Sequence, residues 1–166
     1  GNTGEDQAAY EDLAFFTGDA YGGGECCQNF WQYRYKGILR CNIAIERIPG
    51  VEFEDESLRD RYVAEAKFLR AYQYFDLVRY FGGVPLVLGM KMPSEVEGIQ
   101  RASTAEVYTQ IENDLKDAAN VLPVKSEYAS ADLGRATKGA AQGLLAKAYL
   151  YQEKYEDAED MLEQVM

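Results

Sequence analysis

Apolar and polar positions along the chain follow a helical period, and no stretch shows the strict alternation of a half-buried strand. Residues 5–16 predict a first helix, and the glycines of "TGDAYGGGECCQ" then predict a loop. A second helix is expected from about Asn29 to Ile48, where Pro49-Gly50 stops it. A third runs from Glu56 to a cap at Gly82. Residues 83–102, "GVPLVLGMKMPSEVEGIQRA", are punctuated by Gly and Pro and read as an irregular excursion. Ser103 and Glu106 form the S-x-x-E of a capping box, opening a fourth helix that ends at Leu122-Pro123. A loop, "VKSEYASADLGRA", leads to a fifth helix from Thr137 to about Gln152, with Thr137 as cap and Arg135 bracing a carboxylate. A sixth helix starts near Tyr155.

The third helix departs from the one-stripe pattern of a surface helix. Its stretch "AEAKFLRAYQYFDLVRYFGGVPL", residues 64–86, carries six aromatic rings spread around the axis. Such a helix needs neighbours on more than one side. Val63, Tyr74, Leu77 and Phe81 are expected to pack one way, and Phe68, Tyr72, Phe75 and Val78 another. Arg70, Asp76 and Arg79 lie among those rings and must pair or reach an edge, because an unpaired buried charge is costly. Asp76 and Arg79, three residues apart, are placed to pair. Asn42, a poor helix former in mid-helix, is expected to bond a neighbouring segment.

Two helix endings repeat. Ala44 lies five residues before Pro49, and Ala118 five before Pro123, which is how the second helix of a tetratricopeptide repeat finishes. Leu145, Ala146, Tyr149, Tyr155 and Ala158 fall at the packing spacings of such a repeat, with "QEK" as the turn. The expected fold is all-α, built of tetratricopeptide-like antiparallel helix pairs in one domain over residues 1–166.

Composition narrows the chemistry. The 166 residues are 47% hydrophobic and 13% aromatic, enough for a core. A net charge of -11, with 17 basic residues scattered among 28 acidic ones, argues against nucleic acid. The chain has no histidine, so it lacks the commonest general base and zinc ligand, and the expectation is a protein that is not an enzyme. Cys26 and Cys27 are adjacent, where a mutual disulfide is strained, and Cys41 stands apart; all three read as reduced and structural. The acidic run "YEDAEDMLEQ" lacks the loop spacing and glycine of a calcium loop and reads as a solvated helix face. No metal or cofactor is expected. No stretch is long and apolar enough to span a membrane. The chain opens without Met and ends without a helix stop signal, and reads as a piece of something longer.

Three runs, "AEAKFLRAYQYFDLVRYFGGVPL", "RASTAEVYTQIENDLKDAANVLP" and "GRATKGAAQGLLAKAYLYQEKYEDAEDMLEQV", resemble the SusD/RagB family of outer-membrane nutrient-binding lipoproteins in order and spacing. The upstream "FWQYRYKGILRCNIAIERIP" resembles the family's helix that begins on an aromatic cluster. The resemblance implies a non-catalytic glycan-binding protein acting as a lid over a SusC-like TonB-dependent porin. It implies a place on the extracellular face of the outer membrane, reached through a lipid anchor that this chain lacks. The chain would be the N-terminal helical part. The family's glycan face points to residues 19–35, "DAYGGGECCQNFWQYRY", where rings suited to stacking on sugar C–H faces stand beside amide and acid groups suited to hydroxyls. The ligand-binding candidates are Asp19, Gln28, Asn29, Trp31 and Tyr33. A packing role for Trp31 and Tyr33 at the end of the helix stack is the alternative for those two. For the whole chain, the alternative is a generic helical-repeat scaffold for protein partners.

Overall fold

The computed structural model describes residues 25–165. Its helices are α1 (Glu25–Arg47), α2 (Glu56–Phe81), the four-residue α3 (Pro93–Val96), α4 (Thr104–Val121), α5 (Lys138–Leu150) and α6 (Tyr155–Glu163). The helix expected over residues 5–16 lies outside the described residues. Among the described residues the only strand-like pairing is one antiparallel bridge, Pro85 with Arg101. A boundary between two compact units falls between Lys36 and Gly37, and the account of packing here concerns residues 37–165.

Helix boundaries follow the local chemistry. Asp55 caps α2 by accepting from the Ser57 backbone N–H, and Gly82 ends it at φ 67°, in the left-handed region that favours glycine. A Cβ on the next residue, Gly83, would stand 2.0 Å from the carbonyl oxygen of Ala102, so the close return of the excursion requires glycine there. Ser103 and Glu106 form the expected capping box on α4, and Thr137 caps α5 by accepting from Ala140 N at 3.1 Å. Two boundaries differ: α1 already includes Glu25 to Gln28, ahead of the expected Asn29, because nothing in "ECCQ" breaks a helix, and α5 ends at Leu150 rather than near Gln152.

Consecutive long helices run antiparallel. Asn42 on α1 faces Arg70 on α2; Lys67 and Arg70 on α2 face Asp117 and Asp114 on α4; Glu112 on α4 faces Gln152 at the end of α5; and Gln142 on α5 faces Gln164 just past α6. Second contacts set the direction: Gly37 lies against Gln73, the Lys138 N–H donates to the Pro123 carbonyl at 2.9 Å, and Gly139 lies near Val165, so rising numbers on one element meet falling numbers on the next. Packed this way, α4 lies between α2 and α5, and α6 closes on α5. The core between them is Tyr74, Phe75, Leu77, Ile111, Leu115, Leu145 and Val107, with Ala71, Ala118, Ala141 and Ala148 where backbones approach closely.

The rings of α2 are less uniformly internal than its pattern predicts. Tyr74, Phe75, Leu77 and Val78 are buried, while Val63, Phe68 and Phe81 are half-buried. Tyr72, expected in the core, is 42% exposed, and Tyr80 is more so. Leu69 and Tyr72, three residues apart, share an exposed face of α2, with Tyr72 turned about 160° away from Tyr74. Tyr155 likewise sits at a repeat packing position yet is 64% exposed.

The three charges set among the rings of α2 are paired. Asp76 is buried and pairs with Arg79, whose guanidinium also lies over the Phe75 ring at 4.7 Å. Arg70 is buried and forms a bidentate bridge to Asp114, Nε to Oδ2 at 2.8 Å and Nη2 to Oδ1 at 2.7 Å. Its Nη1 donates to Asn42 Oδ1 at 2.9 Å and to the Leu88 carbonyl at 3.2 Å. Burial works against the charge of Arg70, and the hydrogen bonds and charge of Asp114 outweigh it, so Arg70 holds its proton more firmly than a free arginine. Asn42 in turn donates to the carbonyls of Val87, at 2.7 Å, and Gly89, at 3.1 Å, which is the bond to a neighbouring segment that its mid-helix position predicts.

Two smaller clamps complete the scaffold. Arg135 donates to Asp132 at 2.6 Å and to Glu65 at 2.9 Å, fastening the loop before α5 to α2. Glu112 accepts from Lys154 at 2.6 Å and Gln152 at 2.9 Å. Burial pushes its carboxyl up, but these bonds and the Lys154 charge outweigh burial and hold it below the usual range.

Alkaline stability follows from two buried groups on the inner face. Burial raises Cys41 from 9.0 to about 11, and burial raises Tyr74 from 10.0 to about 12. The unfolded chain loses each proton first, so their stabilisation is complete below pH 9 and is lost as pH rises towards 12. Urea midpoints are expected to fall between pH 9 and 12, and Tyr74→Phe is expected to flatten the part of that fall above pH 10. An unchanged slope in Tyr74→Phe contradicts the buried, neutral phenol.

Candidate functional site

The candidate residues lie on the first turns of α1, in the unit that ends at Lys36. Asp19 lies outside the described residues. Gln28 is exposed, Asn29 and Trp31 are half-buried, and Tyr33 is 65% exposed. At about 100° per residue, Trp31 and Tyr33 project about 160° apart around the helix. Gln28 shares a face with Trp31, and Asn29 shares the other with Tyr33. The helix therefore brings the four together as two ring-and-amide pairs rather than as one platform.

Each pair has a neighbour that the sequence reading did not include. Tyr35 lies one turn from Trp31, with ring centroids 4.9 Å apart and planes tilted by 39°. Lys36 sets its ammonium 5.2 Å from the centre of the Tyr33 ring, and Arg34 sets its guanidinium 4.7 Å from the centre of the Phe30 ring. The spacings that produce these contacts, i to i+4 for Trp31–Tyr35 and Phe30–Arg34 and i to i+3 for Tyr33–Lys36, are visible in the sequence. Chemically the two faces offer the same resources: aromatic surface for an apolar C–H face, an amide that both donates and accepts, and on the Tyr33 side an ammonium donor. Among the described residues no cluster of three or more His, Cys, Asp or Glu side chains is placed to hold a metal ion. No described helix is long and apolar enough to cross a membrane.

Tetratricopeptide-like pairs with an aromatic-led first helix define the class of protein, and comparison with known proteins supplies the family. The pattern of a SusD-like family described as "Starch-binding associating with outer membrane" matches residues 6–150, and the chain belongs to that family. SusD-like protein P38 of Formosa agariphila is 33% identical over 134 residues, which are 80% of this chain and 25% of that protein. A laminarin binding SusD-like protein superposes with a TM-score of 0.77 at 41% identity, over 82% of this chain and 29% of its own. A SusD-like protein of Bacteroides fragilis gives a TM-score of 0.77 at 37% identity, over 83% of this chain and 26% of its own. The chain thus spans about a quarter of the length of the curated relatives it matches.

Because Trp31 and Tyr33 face opposite ways, one sugar ring cannot stack on both. If the sequence expectation that these rings contact a sugar holds in the full-length protein, Trp31→Ala and Tyr33→Ala act unequally, one weakening glycan binding by about 1–3 kcal/mol and the other by little. Calorimetric titration of both variants checks this, and equal losses contradict the two-faced arrangement.

Proposed function

We propose that the whole protein is a non-catalytic glycan-binding component of an outer-membrane uptake complex. In this reading it is held by a lipid anchor on the extracellular face and acts as a lid over a TonB-dependent porin of the SusC type. The observation that carries the reading is membership, across residues 6–150, in a family described as starch-binding and associated with the outer membrane. The exposed Tyr33 and the Trp31–Tyr35 ring pair, each beside an amide, support it with the right chemistry for a sugar. In the same reading the residues of α2, α4, α5 and α6 serve as scaffold, with Arg70, Asp114 and Glu112 engaged by side chains of neighbouring elements.

The ligand class is a soluble oligosaccharide or polysaccharide. Laminarin and starch are the first probes, one from a similar protein that binds it and one from the family description. Titrating the full-length protein with each, beside a panel of unrelated peptides, is expected to give binding to at least one glycan, none to the peptides, and no release of reducing ends on long incubation. Peptide binding without glycan binding would favour the helical-repeat scaffold instead, and accumulation of shortened glycan would show an enzyme.

A further inference from the structure

Residues 151–154 turn the chain from α5 into α6. The backbone N–H groups of Gln152 and Lys154 both donate to the Tyr149 carbonyl, at 2.9 and 3.0 Å. Between them Glu153 stands at φ 61°, in the left-handed region that a residue with a side chain rarely adopts. Such a conformation persists only where its surroundings hold it. Here the hold comes from α4: Glu112 Oε1 accepts from Lys154 Nζ at 2.6 Å and from Gln152 Nε2 at 2.9 Å. Beyond the turn α6 is lightly anchored. Of its nine residues only Ala158 is buried, and past its end Gln142 donates to Gln164 at 2.9 Å.

One carboxylate at this point balances two ammoniums. Glu112 is 8% exposed; Lys154 sits on its Oε1, and Lys116, one turn along α4, lies 3.4 Å from its Oε2. The same two ammoniums stand 5.5 and 5.6 Å from the centre of the buried Tyr149 ring of α5. Other carboxylates near the turn do not share the task. Asp114, two residues along α4, is turned to Arg70 of α2. Glu153, Glu156 and Asp157 are exposed and form no ion pair among the described residues. Burial pushes the Glu112 carboxyl up, but the bonds from Lys154 and Gln152 and the charges of Lys154 and Lys116 outweigh it and hold the group low. Its stabilisation is therefore complete above pH 4.5 and is lost as pH falls through the lowered folded value.

Protonation of Glu112 leaves two like charges side by side over one ring, and both lysines are exposed enough to turn to water. We propose that the 151–154 turn is an acid-released latch: ionised Glu112 seats α6 against α5, and neutral Glu112 lets the turn leave α4 and α6 swing about Glu153. The rest of the scaffold does not hang on this carboxylate, since α2 and α4 are joined by the Arg70–Asp114 bridge on the other side of α4. The opening is thus local, of the kind that native-state hydrogen exchange detects below global unfolding.

The test is hydrogen exchange on the full-length protein between pH 6 and pH 3.5, each amide expressed as protection relative to its intrinsic rate at that pH. In wild type, protection at the Gln152, Lys154 and Ala158 amides is expected to fall by about tenfold or more across this range, while amides in the middle of α2 keep theirs. Glu112→Gln is expected to show the low protection already at pH 6 and to lose the pH dependence. Lys154→Met, at an exposed position, leaves one ammonium to balance, so it decides the matter if Glu112→Gln fails to fold; its acid loss is expected to be several-fold smaller than that of wild type. Turn amides as protected at pH 3.5 as at pH 6, a Glu112→Gln protein with wild-type protection at pH 6, or a Lys154→Met protein with the full wild-type loss each overturn the latch. An equal loss at the α2 amides overturns it too, since the event is then global unfolding.

Discussion

Arg70 is a guanidinium set inside the protein, and the rest of the scaffold is arranged so that it can stay there. Burying such a group is tolerable only if its donors are met. Asp114 of α4 takes two of them, and Asn42 of α1 and the Leu88 carbonyl of the excursion share Nη1. Four separate pieces of chain must therefore arrive at one point. Removing one partner from a buried pair of this kind costs about 3–5 kcal/mol, although a well-packed apolar replacement of the whole would be nearly neutral. The bridge accordingly acts on this fold mainly by fixing which elements meet and in what register.

That register carries outward in two directions. Through Asn42 and Tyr74 it lays the segment from Val87 to Met90 along α1, so that alternate side chains face solvent in a defined row. Through Asp114 it fixes α4 against α2, and α4 then presents Glu112 to Lys154 and Gln152, which seats the turn between α5 and α6. A hydrophobic core alone leaves such sliding alignments underdetermined, whereas directional bonds at buried points do not. The scaffold thereby holds its surfaces in a fixed register.

Much of this was legible in the sequence because it is local. Asp55, Ser103, Thr137, Gly82 and the Pro49 and Pro123 stops each act within a few residues, so helix ends could be read directly. The pairing of Asp76 with Arg79 was legible for the same reason. Asn42 announced that it needed a partner, but the partners are backbone carbonyls 45 and 47 residues away, which no local pattern names. The Arg70–Asp114 bridge spans 44 residues and was equally hidden. Tyr72 was misplaced because a ring of aromatic positions around a helix does not say which side lacks a neighbour. The candidate site was legible in residue type and only partly in geometry: two residues apart in sequence means nearly opposite on a helix, so Trp31 and Tyr33 belong to different faces. The Trp31–Tyr35 contact followed the ordinary helical spacing.

The claim that one buried bridge orders both the helices and the excursion is tested most directly by hydrogen exchange at the Val87 and Met90 amides in Asp114→Asn. These two N–H groups are held by Tyr74 and Glu46, on either side of the Leu88 and Gly89 carbonyls that Arg70 and Asn42 bind. If the bridge is what keeps that segment in register, their protection falls by about tenfold or more while amides in the middle of α5 keep theirs. Protection at Val87 and Met90 equal to wild type, in a variant that has lost the Arg70–Asp114 charge pair, would contradict the account.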